Sequence, residues 1–130
     1  MQRPRLYIFG CPSHVGGADT KLAHLLALLH RRERITVVPN DEGRLREREW
    51  VRTLERLGVD AKVLGRLPRE LHGVGLAMSN TRFFPDRIAH RARERGLRIV
   101  WSSEMMWHHE GEIDAVRDGV IDHVLYVSEL

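Results

Sequence analysis

Short apolar runs rich in β-branched residues alternate along this chain with longer stretches of helical periodicity, and this alternation limits the folds open to it. Most of the runs lack a polar face, which is typical of strands buried on both sides in a parallel sheet. Glycine, proline, asparagine or aspartate lies close to most of their ends. The predicted strands are 6–10, 35–38, 59–64, 74–78, 97–101 and 121–127.

Helical patterns fill most of the intervals between the runs, and only the connector at 66–71 has no assigned structure. Right-handed crossovers through such helices give a doubly wound, mostly parallel sheet of about six strands with helices on both faces, which is a Rossmann-like α/β fold. The residues predicted to face inward from the first two helices are Leu22, Leu25, Leu26, Leu29, Leu45, Trp50, Leu54 and Leu57.

The length of 130 residues suits one domain. No apolar run approaches the roughly 20 residues of a membrane-spanning helix, and the first residues lack a signal-peptide pattern. Cys11 is the single cysteine, so an intramolecular disulfide and a cysteine-rich metal site are both excluded. We therefore expect a cytoplasmic protein.

The formal charge of +3 gives a mildly basic surface. Acidic residues are interspersed among the arginines, so we expect no nucleic-acid partner. The densest arginine segments, 44–56 and 87–98, are predicted to be solvated helix faces. The alternative is that they attract an anionic acceptor or an acidic lipid surface, which would make a peripheral membrane contact.

A glycine pair follows the first predicted strand at the entrance to the first helix. Gly16 and Gly17 would let backbone N–H groups approach a phosphate or sugar at the positive end of the helix dipole. The alternative is that they only make a tight turn. The spacing matches neither the dinucleotide fingerprint nor a P-loop, which argues against nicotinamide dehydrogenases and P-loop kinases.

The sequence V-G-G-A-D-T-K-L at 15–22 resembles the first loop of GT-B-fold, family-four retaining glycosyltransferases, in which a strand leads into a Gly-Gly-Ala-Glu type segment and a leucine-rich helix. Asp19 stands where glutamate is commoner and keeps a carboxylate in the first helical turn, where it could equally be only a capping residue. The ending Y-V-S-E at 126–129 is similar to the segment that closes the N-terminal lobe of that family. The resemblance covers essentially the whole chain.

This resemblance implies that residues 1–130 form the acceptor-side lobe of an enzyme that transfers a sugar from a nucleotide-sugar donor to an unidentified acceptor. The donor-binding C-terminal lobe would be absent, and the fragment alone would be inactive. Gly16 and Gly17 would lie in the interlobe cleft near the donor diphosphate, with Asp19 beside them. Neither a metal nor a cofactor is implied, because helix dipoles and basic side chains would offset the phosphate charge.

The predicted loop 102–111 follows the fifth strand, where the family often places a histidine near the reacting sugar. Here Glu104 stands near the expected histidine position, and His108 and His109 come later. Glu104 and His109 are the candidate catalytic residues, and His108 is a candidate substrate contact. The alternative is an exposed polar loop. A zinc site is disfavoured because the segment lacks H-E-x-x-H spacing.

A competing interpretation is a self-contained ligand-binding or regulatory α/β module. Receiver domains of that class carry an acidic cluster after the first strand, which this sequence lacks. The ending directly after a predicted strand favours the lobe over an independent domain, which usually finishes on a covering helix.

Overall fold

The computed structural model of the protein describes residues 5–10, 17–38, 47–78, 83–84, 86–103 and 110–126. Within these ranges strands and helices follow the predicted order. The strands are β1 (Arg5–Phe9), β2 (Arg34–Val38), β3 (Ala61–Val63), β4 (Val74–Met78), β5 (Arg98–Ser103) and β6 (His123–Tyr126). The helices are α1 (Gly17–Leu29), α2 (Glu47–Arg56), α3 (Ile88–Glu94) and α4 (Glu110–Arg117).

All six strands pair in parallel in the order β3-β2-β1-β4-β5-β6, which confirms the predicted Rossmann-like sheet. Leu6 of β1 lies opposite Ile35 on one side and Val74 on the other. Because the chain moves outward in both directions from the centre, right-handed crossovers put α1 and α2 on one face and α3 and α4 on the other. The connector 64–73 joins the two halves without a helix or strand.

The connector is held by α3 instead of by secondary structure of its own. Arg95, just after α3, donates from Nη1 to the carbonyl oxygens of Leu67 and Pro68 at 2.9 and 3.1 Å. In return, the backbone N–H of Leu71 donates to the carbonyl oxygen of Arg95 at 2.8 Å. Leu71 is fully buried. Arg95 is therefore a half-buried residue that holds the connector, which differs from the solvated helix face predicted for the segment 87–98.

The inward faces of the helices agree with the prediction in α1 and differ at the end of α2. Leu22 and Leu26 are buried, with Leu25 and Leu29 packed against the core. Leu57 is exposed, because α2 ends at Arg56 and the chain turns at Gly58, where φ is 70°. Leu45 lies outside the described residues.

The boundaries of the fifth crossover also differ from the prediction. β5 continues through Ser102 and Ser103, and α4 already begins at Glu110, so the segment between them is shorter than the predicted loop 102–111. None of the helices in the described ranges has the length and apolar character needed to cross a membrane.

Candidate functional site

The reversal of strand order between β1 and β4 defines the candidate ligand site. Right-handed crossovers from these two strands lead to opposite faces of the sheet, and doubly wound folds bind ligands in a crevice beyond the carboxyl ends of the strands at such a reversal. Since β5 is parallel to both, the glycine turn and the segment after β5 leave from the same edge of the sheet. The residues of the two loops themselves, 11–16 and 104–109, lie outside the described residues.

Beneath this edge the packing is close and aromatic. Phe9 ends β1 and meets Phe83 edge to face, with ring centroids 5.1 Å apart. Gly75 of β4 makes room for the Phe9 ring, because a Cβ at this position would lie 2.5 Å from Phe9 Cε2 and 2.7 Å from Leu97 Cδ2. A side chain at Gly75 would therefore displace Phe9, the last residue of β1.

The exit from β1 is shaped by backbone geometry. Gly10 has a φ of 116°, a conformation that favours glycine, and its N–H donates to the carbonyl oxygen of Val38 at 3.2 Å. α1 begins at Gly17, so the backbone of this glycine contributes to the first helical turn, as does that of Asp19. N–H groups of a first turn have no partner within their own helix, which leaves them available to an anion.

The other predicted site residues are Gly16, Glu104, His108 and His109, and they lie outside the described residues. The described residues nearest to them in sequence are Gly17, Ser103 and Glu110. Ser102 and Ser103 are buried at the carboxyl end of β5, where β6 pairs with them through Leu125 and Tyr126. The predicted roles of Glu104, His108 and His109 therefore remain predictions.

A buried carboxyl group in α4 was missed by the sequence analysis. Glu112 is only 2% exposed, whereas the neighbouring Ile113 and Val116 are about half exposed. The two large apolar residues of this helix are thus exposed, and its buried residues are Glu112 and Ala115. The three-residue spacing of Glu112 and Ala115 was the only sequence signal, and it is too common to be diagnostic.

A second concave feature lies between α3 and the turn that follows α4. This α3–α4 cavity has a volume of about 340 Å³, and its lining residues are Arg87, His90, Arg93, Glu94, Asp118, Gly119 and Val120. Arg87 and Arg93 belong to the arginine segment 87–98, for which attraction of an anionic acceptor was the alternative to a solvated helix face. The wall-forming segments are distant in sequence, so no local motif could have identified the cavity.

His90 is the most unusual of these residues. The residue as a whole is 5% exposed, and neither Nδ1 nor Nε2 of its ring forms a hydrogen bond with the described part of the chain. Nε2 lies 3.7 Å from Oδ2 of Asp118, which is close enough for electrostatic attraction but too long for a hydrogen bond. Burial and the Arg87 charge hold the pKa of His90 below its ordinary value, and the opposing effects of Asp118 and Glu94 are smaller.

Next to this cavity, Asp122 joins three elements. Its Oδ1 accepts from Nη2 of Arg93 at 2.8 Å, and its Oδ2 accepts from the backbone N–H of Ile99 at 2.8 Å. Burial raises the pKa of Asp122, but these hydrogen bonds and the charges of Arg93 and Arg98 outweigh it, so the net pKa lies below the usual range. The charge of Arg93 is therefore already neutralised by a protein group.

Comparison with known proteins supports the fold and nothing more specific. No family model and no curated protein matches the sequence. Among solved structures, eIF2B delta from Chaetomium thermophilum is similar, with a TM-score of 0.53 and 12% sequence identity. The match covers 99% of this chain and 51% of that one, so this chain spans about half the length of its structural neighbour. At this identity the likeness establishes a shared Rossmann-like architecture alone.

Proposed function

We propose that the carboxyl edge of the sheet is the acceptor-side wall of a glycosyltransferase cleft, and that the chain is the N-terminal lobe of a retaining, nucleotide-sugar-dependent enzyme. In the reaction, the bond between the anomeric carbon and the donor diphosphate breaks. An acceptor oxygen bonds to that carbon on the same face, and its proton leaves with the nucleoside diphosphate. We also propose a cytoplasmic location.

The observation that carries this proposal is the position of the glycine turn in the sheet. β1 lies at the reversal of strand order, and the chain passes from it into α1 at Gly17. The diphosphate of a nucleotide sugar is an anion suited to free N–H groups at a helix entrance. In this arrangement Gly16 and Gly17 admit the phosphates, Asp19 favours the helix dipole, and Glu104, His108 and His109 face the sugars from the segment after β5.

The proposal is tested by titrating the isotopically labelled chain with UDP-glucose and GDP-mannose and following its amide NMR signals. One lobe supplies only half of the cleft, so we expect weak binding in the millimolar range. The affected signals should lie at the carboxyl edge, including Gly10, Gly17 and Ser103. Gly17→Val should abolish these shifts while the thermal unfolding temperature stays unchanged, because the added side chain occupies the path of the phosphates.

The matched control is Ala27→Val, which places the same branched side chain at an exposed position further along α1. It should leave the shifts intact. Tight, nucleotide-specific binding by this chain alone would overturn the lobe assignment in favour of a self-contained ligand-binding module. Absence of shifts at the carboxyl edge, or shifts that Gly17→Val leaves unchanged, would reject the cleft.

A further inference from the structure

The α3–α4 cavity is separate from the proposed sugar site. Residues 118–120 precede β6, so they lie toward the amino ends of the strands, whereas the glycine turn leaves from the carboxyl ends. The volume of about 340 Å³ is at the lower limit for ligand-binding pockets, which points to a small ligand.

The His90 ring supplies the first evidence that this cavity binds something. Buried polar groups in proteins are nearly always hydrogen-bonded, and each exception calls for an explanation. His90 is one of the residues that line the cavity, and its two ring nitrogens are buried and have no hydrogen bond to the described residues. In a neutral ring one nitrogen donates and the other accepts, so the complement of either nitrogen is a ligand hydroxyl, which can do both, and the complement of the accepting nitrogen is also an ammonium group, which donates.

Arg87 is the second residue that points to a ligand in this cavity. Its backbone has a φ of 61°, in the left-handed region that residues other than glycine adopt infrequently, and its side chain makes no capping hydrogen bond to α3. No carboxylate in the described ranges forms an ion pair with its guanidinium, whereas Arg93 is neutralised by Asp122. Arg87 is thus the cation of the cavity that remains for a ligand, and a planar guanidinium suits a planar carboxylate.

The acidic residues of the lining restrict the ligand further. Glu94 and Asp118 both lie on the wall, and the side chain of Asp118 is half exposed. A dianion such as phosphate would be repelled by these two carboxylates. A single carboxylate with a nearby hydrogen-bond donor would instead satisfy Arg87, His90 and Asp118 together.

We propose that the α3–α4 cavity binds a small carboxylic acid that carries an amino or hydroxyl group beside the carboxylate. The carboxylate lies on Arg87, and the neighbouring amino or hydroxyl group lies between His90 and Asp118. The ligand is either an amino acid or a hydroxy acid, since each carries an amino or hydroxyl group beside its carboxylate. An amino acid gains additional attraction from Glu94 and Asp118 through its positive charge.

Imidazole and amide NMR of the 130-residue chain tests this proposal with L-alanine, L-lactate, acetate and inorganic phosphate as probes. We expect saturable shifts of the His90 ring signals with L-alanine or L-lactate, and the stronger of the two shows whether the ligand is an amino acid or a hydroxy acid. Acetate should bind at least tenfold more weakly because it lacks the second group, and phosphate should not bind. Equal binding of all four probes, or no saturable shift with any probe, would overturn the proposal.

A substitution on the opposite wall tests the location without touching Arg87 or His90. Gly119 has a φ of 72° and open space around its Cβ position, and asparagine tolerates this conformation. Gly119→Asn should therefore fold normally and weaken binding at least tenfold by entering the cavity. Gly58→Asn is the matched control, because Gly58 has a φ of 70°, equally open surroundings and a position after α2. Equal effects of the two variants would overturn the assignment.

Discussion

At the scale of single residues, His90 couples the stability of the fold to pH. Its pKa is lowered in the folded state, mainly by burial, so the unfolded chain binds a proton more readily than the folded one. The stabilisation that a neutral His90 gives to the fold is therefore fully present above the pKa of histidine in the unfolded chain, which is about 6.5. This stabilisation is lost as the pH falls from about 6.5 toward the lower pKa of His90 in the folded state.

We accordingly expect the free energy of unfolding to decrease between about pH 7 and pH 5. His90→Gln should flatten this decrease, because glutamine has no proton to gain. His24→Gln removes an exposed histidine from α1 and serves as the control. Urea titrations at a series of pH values measure the effect, and a slope that His90→Gln leaves unchanged would contradict the assignment.

Gly75 is a residue at which a single added methyl group should change the stability of the core. The Cβ of an alanine there would meet Phe9 and Leu97 at distances that real Cβ atoms do not adopt, so the neighbours must move. We expect Gly75→Ala to lower the free energy of unfolding by about 1–3 kcal/mol, as overpacking in cores does. Adding Phe9→Leu should recover part of the loss, since it removes the closer ring. Additive losses in a double-mutant cycle would argue against direct contact.

At the scale of elements, Asp122 fastens α3 and the start of β5 to the start of β6. It accepts one hydrogen bond from Arg93 and one from Ile99, and its own N–H donates to the carbonyl oxygen of Ile99. These bonds hold the two crossovers on this face of the sheet to one another. The lowered pKa of Asp122 shows that the folded state favours its charged form.

Asp122→Ala should reduce the free energy of unfolding by about 1.5–3 kcal/mol, the range for hydrogen bonds to a charged group. Arg93→Ala should cost no more than about 1 kcal/mol, because its guanidinium is partly solvated. The stabilisation by Asp122 should be present above its unfolded pKa of about 3.9 and be lost as the pH falls below it. Equal losses for the two variants in urea unfolding at neutral pH would show that the Ile99 bond contributes nothing.

The order of strands and helices was predictable because the β-branched runs, and the glycine, proline, asparagine and aspartate residues near their ends, are local signals. β4 has the predicted bounds, while β3 begins later than predicted and β5 ends later. The direction of a helix face was harder to predict. Ile113 and Val116 have the three-residue spacing of an apolar helix face, yet Glu112 and Ala115 are the buried residues of α4, since the surroundings of a short helix override its own pattern.

The location of the candidate site at the carboxyl edge was also predictable, because it follows from parallel strands and a glycine-marked turn. The α3–α4 cavity, in contrast, was not predictable from the sequence. Its walls come from residues 87–94 and 118–120, and their meeting depends on how two crossovers pack on one face. The environment of His90, including its distance to Asp118, is likewise a property of tertiary structure.

At the scale of the whole molecule, the sheet consists of two three-stranded halves that meet between β1 and β4 and are covalently joined by the connector 64–73. Gly65 and Arg66 are exposed there, whereas Leu67 and Pro68 are held by Arg95 of the second half. We expect fragments 1–65 and 66–130 to reassociate when mixed and to restore the circular dichroism of the intact chain. Gly75→Ala should weaken the reassociation, because it disturbs the β1–β4 junction.

Lys62→Ala is the control, since Lys62 is exposed on the outer strand β3 and distant from the junction. Fragments that stay unfolded when mixed, or a reassociation equally sensitive to both substitutions, would contradict a division of the sheet at β1 and β4. The readout is the midpoint of a titration of one fragment with the other.

The central position of β1 has a consequence for the order in which the molecule folds. β1 can meet β2, and β4 can meet β5, after one crossover each, but the β1–β4 pair requires closure of nearly the whole first half of the chain. Such non-local pairings carry a larger entropic cost and form late. The two halves should therefore acquire structure before β1 and β4 pair, so changes at Gly75 should chiefly accelerate unfolding and leave the folding rate nearly unaltered.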